Sequence, residues 1–313
     1  MIQDIPQSDE YQYVAIECLI QAYNNIFYVD NSLNNETPRE EIWDYNQIVL
    51  RTALVLIHQG IEGLMKSEIC RKSPLLLIEK KRSEWKTLPN STDESFSDFI
   101  TIGGDDLLRT FYACVGAKKT HEVFLKHYEE IRIKRNKIVH GLGTEKLTPE
   151  YVLKLILRSF TYLLGKNSFW NSVSDKFYKH PGFEHDDSAI EWEDSFQYNR
   201  MEYLELFLGK KELKKHFSID ITARGYLCPF CTEKAEEITT DGIKRPDSKW
   251  AFLSPNKPNS TDMACIVCRT DFGVIRENCV MDGCKGNVKY LLEDDEEEET
   301  WVCLTCWNEE IKK

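Results

Sequence analysis

The sequence predicts a mainly α-helical fold: a helical bundle over residues 1–215, followed by a small β/loop domain over residues 216–313 that is organised by cysteines. Three observations predict it. Apolar residues recur at three- and four-residue spacing through the first two-thirds of the chain. Eight of the 11 cysteines lie after residue 227, in four pairs. The helical period then gives way at "FSIDITARGYLCPFC", residues 217–231, beyond which short strands, knuckles and loops are expected.

Composition sets the limits. A chain of 313 residues, 42% hydrophobic, with 15 Phe, 14 Tyr and 7 Trp, has enough large apolar surface to offset its conformational entropy and fold over most of its length. The net charge is -12, with 28 Lys plus Arg against 33 Asp plus Glu before residue 216 and 12 against 19 from there on. Both parts are acidic, so a nucleic-acid site has to be a local basic patch. The N-terminal "MIQDIPQSDEYQY" lacks a basic stretch followed by an apolar one, and the longest apolar run, "ALVLIHQGI", falls short of a membrane span. The expectation is a soluble cytoplasmic protein with no membrane partner, where thiolate metal sites are favoured over disulfides.

The elements follow in order. Residues 9–29 and 38–72 carry helical patterns, and "SPLLLIEKKRSEWKTLPNSTDES" reads as a connection, with Pro74 closing the long helix and a polar loop near 88–96. Asp105, after Gly103 and Gly104, is placed as the cap of "DLLRTFYACVGA", and Thr120 as the cap of the next helix. In "GLGTEKLTPEYVLKLILRSFTYLLGKN" glycines end that helix, Thr148 caps another, Pro149 occupies its first turn and Gly165 ends it, giving an antiparallel pair. Further helices are expected over 167–179 and 190–214. Cys18, Cys70 and Cys114, scattered in these patterns, read as buried core residues. His58, His121 and His127 read as packed or solvated helical residues, and His180, His185 and His216 receive no role.

The stretch "EEIRIKRNKIVHGLG", residues 129–143, concentrates positive charge in an acidic chain. At about 100 degrees per residue, Phe124, Tyr128, Ile131, Ile138 and Val139 share one apolar stripe, and Arg135 falls inside it. A guanidinium there needs an acidic partner, a neighbouring subunit or an anionic ligand. Arg132, Asn136 and His140 form an i, i+4, i+8 row beside the stripe. His140 precedes Gly141 and so falls in the last turn, where exposed carbonyls favour an imidazolium. This combination suits RNA cleavage by transesterification: the imidazole moves a proton at the 2'-hydroxyl or the 5'-oxygen, and arginine neutralises charge developing on phosphorus. Arg132, Lys134 and Lys137 would hold flanking phosphates. The competing reading is a solvated basic helix end with a C-capping histidine.

"RNKIVH" resembles the signature of the HEPN superfamily (higher eukaryotes and prokaryotes nucleotide-binding): Arg, a polar residue, then His after four to six intervening residues. Arg135, Asn136 and His140 match it. Glu62 and Lys66 in "GIEGLMKSEI" are similar to the Glu, three residues, Lys pattern that many HEPN proteins carry on an earlier helix, and Glu62 offers Arg135 an acidic partner. The resemblance implies an all-α domain that forms a homodimer with two motifs in one cleft. It also implies a metal-independent RNase that leaves a 2',3'-cyclic phosphate, of the toxin or antiviral-defence type. The motif match spans about ten residues; the helical pattern supports it over the rest of the domain.

The cysteine pairs are "CPFC" (Cys228, Cys231), "CIVC" (Cys265, Cys268), "CVMDGC" (Cys279, Cys284) and "CLTC" (Cys303, Cys306). A short spacer lets two thiolates in a knuckle share one tetrahedral Zn2+, and two knuckles close a structural site. Two structural Zn2+ are expected, with none used for catalysis. Sequential pairing gives two zinc-ribbon-like sites; cross-bracing is the alternative, and iron–sulfur ligation a more distant one. Seven consecutive acids, Glu293 to Glu299, lie between the last two knuckles at an expected hairpin tip. They read as a solvated loop, or as a mimic of nucleic acid that docks a basic partner. Phe230, Trp250, Phe252, Trp301 and Trp307 read as a mini-core around the metals, with base stacking as the alternative.

The leading functional reading is a HEPN-type endoribonuclease acting on RNA, tRNA or another structured RNA, whose zinc module recognises a substrate, trigger or partner. The reading from a different class is a non-catalytic HEPN dimerisation platform whose zinc module binds protein or nucleic acid. A third would add an antitoxin, sensor or other companion protein.

Overall fold

In the computed structural model, the described residues are 1–31, 38–86, 92–116, 121–141, 145–178, 187–232, 249–294 and 298–312. The chain divides into two compact units, Met1–Ser172 and Val173–Lys313.

The first unit is helical. Its elements are α1 (Ser8–Asn31), α2 (Arg39–Tyr45), α3 (Gln47–Cys70), α4 (Gly104–Val115), α5 (His121–His140) and α6 (Pro149–Leu164). A single helix expected over 38–72 is two, because Asn46 sits at φ -92°, ψ 26° and turns its side-chain amide back onto the Ile42 carbonyl. Gln47 then fastens the start of α3 to Leu147, its side chain donating to that residue's carbonyl and accepting from its N–H. Thr148 caps α6 by accepting from the Tyr151 N–H at 3.2 Å, Pro149 takes the first turn, and Gly165 ends the helix at φ 94°, as the sequence predicts. Asp105, by contrast, is not a cap: Gly103 holds that position, and Asp105 lies in the first turn of α4. The Thr120 cap lies outside the described residues.

At the centre is α3, packed on α1, α4, α5 and α6. Its Leu50, Leu54, Ile57, Ile61, Leu64, Met65 and Ile69 are buried. This helix is long and apolar enough to cross a membrane by length and composition, yet half of its most apolar window is buried in the bundle. Gly60 and Gly63 let α1 come close: a Cβ at Gly60 would sit 2.6 Å from Leu19 Cγ and one at Gly63 would sit 2.8 Å from Ala15 Cβ. Gly60→Val and Gly63→Val are each expected to destabilise this unit by about 1–3 kcal/mol through overpacking, read as a lowered denaturant midpoint. A short parallel pairing that the sequence did not announce, β1 (Ile2–Gln3) with β2 (Glu94–Ser95), ties the N-terminus to the connection before α4. The α5–α6 pair is antiparallel, since Glu130 on α5 meets Tyr151 while the earlier His127 meets the later Ser159.

The second unit begins within α7 (Ser168–Tyr178), so the helices after residue 172 group with the cysteine-rich part and not with the bundle, in contrast to a boundary at 215/216. Three contacts explain the grouping: Asp175 pairs with Arg269 at 2.7 Å, the Lys210 ammonium lies 5.0 Å over the Trp250 ring, and the Tyr198 hydroxyl bonds to Cys231 Sγ. The long helix α8 (Asp187–Leu213) breaks at Gly209, φ 67°. Two antiparallel three-stranded sheets follow, β3 (Ala251–Leu253), β4 (Asp262–Cys265) and β5 (Asp271–Gly273), then β6 (Lys289–Asp294), β7 (Glu299–Cys303) and β8 (Glu309–Lys312). Asp294 pairs with Glu299, so the two ends of the acidic run lie on the paired strands β6 and β7; the hairpin tip expected of the run falls on residues 295–297, outside the described residues.

Candidate functional site

Two regions carry chemistry: the α3–α5 face of the first unit and the two cysteine clusters of the second. On α5 the apolar stripe is real for its first half. Phe124, Tyr128 and Ile131 are buried, with Phe124 packed 5.9 Å from the α4 ring of Phe111. Toward the C-terminus the stripe surfaces: Ile138 is half-buried and Val139 is 48% exposed. Arg135 therefore sits where the core opens, half-buried. Its Nη1 donates to Asn136 Oδ1 at 2.9 Å and its buried Nε has no hydrogen-bond partner. Among the described residues it makes no ion pair.

The acidic partner expected for Arg135 is thus engaged elsewhere. Glu62 Oε1 accepts from the Tyr128 hydroxyl at 3.2 Å and lies 3.8 Å from His58 Nε2. Geometry explains this: Tyr128 is nearly two turns before Arg135 on α5, and it is Tyr128 that lies opposite the middle of α3. Burial, then the charge of Glu62 and the hydrogen bond to it, drive the Tyr128 phenol well above its ordinary range. Lys66, one turn beyond Glu62, donates to Thr101 Oγ1 at 2.9 Å; burial lowers its pKa while Glu62 opposes that shift.

His58 belongs to this face, which the sequence reading missed. It is buried, stacks on Tyr128 with ring centroids 5.7 Å apart, and extends the Glu62, Lys66 row one turn earlier on α3. Its pKa is lowered, first by burial, against the pull of Glu62 and with the added repulsion of Arg135 and Arg132. The i, i+4, i+8 spacing of His58, Glu62 and Lys66 was the available signal.

The remaining basic residues divide. Arg132 is committed to Glu129 (3.0 Å) and Asp105 (3.3 Å). Lys134 pairs with Glu145 and lies 5.1 Å over the Tyr151 ring. Both are expected from the sequence to hold flanking phosphates; in this structure local carboxylates meet their charge. Lys137 and Asn136 are exposed. His140 is the last residue of α5 and is exposed, as its position before Gly141 predicts. A Cβ at Gly141 would fall 2.6 Å from the Lys137 carbonyl, so the backbone at this helix end leaves no room for a side chain.

Among the described residues, His127 and His216 are buried in the fold. His127 is buried, its Nε2 2.9 Å from Ser159 Oγ, and burial takes its pKa down to about 3. A folded-state pKa below the ordinary 6.5 means that the unfolded chain binds the proton first. Stability is therefore complete above pH 6.5 and falls as the pH drops toward 3. The expected slope from this residue is about 1.4 kcal/mol per pH unit, and His127→Gln should flatten that acid limb in denaturant titrations at fixed pH. His216, given no role by the sequence, is buried after α8, 3.9 Å from Glu212. His180 and His185 lie outside the described residues, as does the side chain of His121. Cys70 is buried, while Cys18 and Cys114 are only half-buried, short of the core positions expected of them.

The cysteine pairs assemble sequentially: Cys228, Cys231, Cys265 and Cys268 in one cluster, and Cys279, Cys284, Cys303 and Cys306 in the other, with every Sγ of a cluster within 4.8 Å of the rest. Four thiolates at about 2.3 Å from a tetrahedral zinc define S···S edges of about 3.8 Å. Two sulfur pairs measure 3.7 and 3.8 Å in the first cluster and two measure 3.6 and 4.0 Å in the second. Disulfides would need about 2.05 Å. The donor set and its spacing thus fit two structural metal sites, with zinc the metal that the chemistry favours. Phe230 packs with Phe272 and Tyr290 beside the first cluster, and Trp250 and Phe252 are buried, forming the expected mini-core; Trp301 remains half-exposed with Lys312 5.5 Å over its ring.

Comparison of the chain with protein-family models, with curated proteins and with solved structures finds no match.

Proposed function

We propose that the protein is a metal-independent endoribonuclease of HEPN type, acting as a homodimer on RNA, with the double zinc module serving recognition or regulation. The observation that carries this reading is Arg135: a half-buried guanidinium without an ion pair among the described residues, steadied by the Asn136 amide, on the same helix as the exposed His140. An unmatched cation at the edge of a core is costly unless an anion reaches it, and a phosphodiester is such an anion. Lys137 and His140 stand exposed on the same last turns of α5.

In this reading His140 transfers the proton at the 2'-hydroxyl or the 5'-oxygen, Arg135 stabilises the charge that develops on phosphorus, and Asn136 holds the guanidinium in place. Attack of the 2'-oxygen on phosphorus expels the 5'-oxygen and leaves a 2',3'-cyclic phosphate. Glu62 reaches the motif's helix from α3 through Tyr128, and Lys66 lies one turn further along α3, bonded to Thr101. The exposed Ile133 (53%) and Val139 on the same helix favour a second copy as neighbour. The test is incubation of the zinc-loaded protein with end-labelled total RNA and with tRNA in a chelator that leaves the zinc bound. Cyclic-phosphate ends from a dimeric protein support the reading. Intact RNA across substrates and candidate triggers would instead favour a non-catalytic platform.

A further inference from the structure

The two cysteine clusters share a donor set but not an environment. In the first, Cys228, Cys231 and Cys265 are buried and Cys268 is half-buried. The Tyr198 hydroxyl covers Cys231 Sγ from α8, and Phe230, inside the knuckle, is packed by Phe272 and Tyr290. In the second, only Cys303 is buried; Cys279 and Cys284 are half-buried and Cys306 is exposed, the one exposed thiolate of the eight. The spacer residues Val280 and Met281 beside Cys279 are 63% and 53% exposed, so the rim of this cluster is open to small solutes.

Charge adds to access. Arg224 donates to Thr305 Oγ1 at 3.2 Å and to the Lys285 carbonyl at 3.3 Å, and Lys249 donates to the Thr305 carbonyl at 2.7 Å. Two cations therefore grip the turn between Cys303 and Cys306. Thiolates that are both accessible and flanked by positive charge are the reactive ones. Cys279 and Cys306 come from opposite knuckles, and their sulfurs approach to 3.6 Å. Backbone N–H groups of Met281, Gly286 and Asn308 donate to Cys279, Cys284 and Cys306 alike, so it is exposure that favours Cys306 as the first point of attack.

We infer that Cys306 and Cys279 form an oxidation site at which hydrogen peroxide converts the second metal centre into a disulfide and releases its metal. The Cys306 thiolate attacks the peroxide oxygen, breaking the O–O bond and giving a sulfenic acid and water after protonation. The Cys279 thiolate then attacks the Cys306 sulfur and expels hydroxide, which leaves as a second water. Two thiolates lose two electrons in total, and one peroxide gains them. The metal keeps two ligands, Cys284 and Cys303, and dissociates. These residues flank β6 and end β7, so the loosened element is the β6–β8 sheet with its acidic hairpin.

The experiment uses the full chain loaded with two zinc ions and hydrogen peroxide as the probe, with released zinc followed by a chromophoric chelator and disulfides mapped by mass spectrometry. The expected result is biphasic release: one zinc per chain leaves about tenfold faster than the other, with a Cys279–Cys306 disulfide formed in the fast phase and reversed by thiol plus zinc. Arg224→Gln with Lys249→Gln, checked to retain two zinc ions, should slow the fast phase several-fold. Release of both metals at one rate, a first disulfide within the Cys228–Cys268 cluster, or release without a Cys279–Cys306 link would overturn the inference. No step depends on RNA cleavage, so this result stands or falls apart from the proposed activity.

Discussion

His140→Ala and Arg135→Ala should each lower RNA cleavage by about 10²- to 10⁴-fold, the range set by removal of a positioned proton-transfer group or a charge-stabilising donor. The two losses should not multiply in the double variant, because groups that serve one transition state act as a unit. Both side chains lie where replacement spares the fold: His140 is exposed at a helix end, and Arg135 makes no ion pair among the described residues. Circular dichroism, zinc content and dimer state should therefore match wild type, which isolates the chemistry. Asn136→Ala should cost less, since Asn136 acts through the Arg135 guanidinium; a comparable loss would place its amide on the phosphate itself. Equal cleavage by wild type and both single variants would remove the motif from any catalytic role and leave the α5 cations as a binding surface.

The logic of that experiment also shows where sequence reading ran out. Thr148, Pro149 and Gly165 announced the ends of α6 because capping is a matter of adjacent residues. The C-x-x-C knuckles were legible for the same reason, and only which knuckles share a metal needed three dimensions. The partner of Arg135 was not legible. A helical wheel places it in the apolar stripe but cannot say how far along α5 the core extends, and Tyr128 reaches Glu62 first. Nor does amphipathicity say which neighbour a helix chooses: α8 reads like the helices before it, yet its Tyr198 and Lys210 meet Cys231 and Trp250. The contact of β1 with β2 spans 92 residues in two-residue strands, too brief a pattern to stand out.

The choice α8 makes leads to the second large effect. Cys265→Ser should unfold most of the unit Val173–Lys313 while leaving Met1–Ser172 intact. Cys265 is buried, so a serine there neither binds zinc as a thiolate does nor finds solvent in its place. Structural zinc contributes about 10–16 kcal/mol by apparent affinity, comparable to the whole stability of an ordinary domain, about 5–15 kcal/mol. The two small sheets have three strands each, and the apolar mini-core of Trp250 and Phe252 lies beside the first cluster, where Tyr198 ties α8 to Cys231, so loss of that metal reaches the packing as well. Limited proteolysis of the variant should yield a resistant fragment ending near residue 172, with bound zinc falling from two to one or none per chain. Cys306→Ser, at the exposed rim of the second cluster, should lose one zinc but keep α8 protected, because Tyr198, Asp175 and Lys210 contact the first cluster's surroundings. If Cys265→Ser kept the unit as resistant as wild type after zinc loss, the stability of the unit would reside in its apolar packing, and the first metal site would be an accessory to the fold.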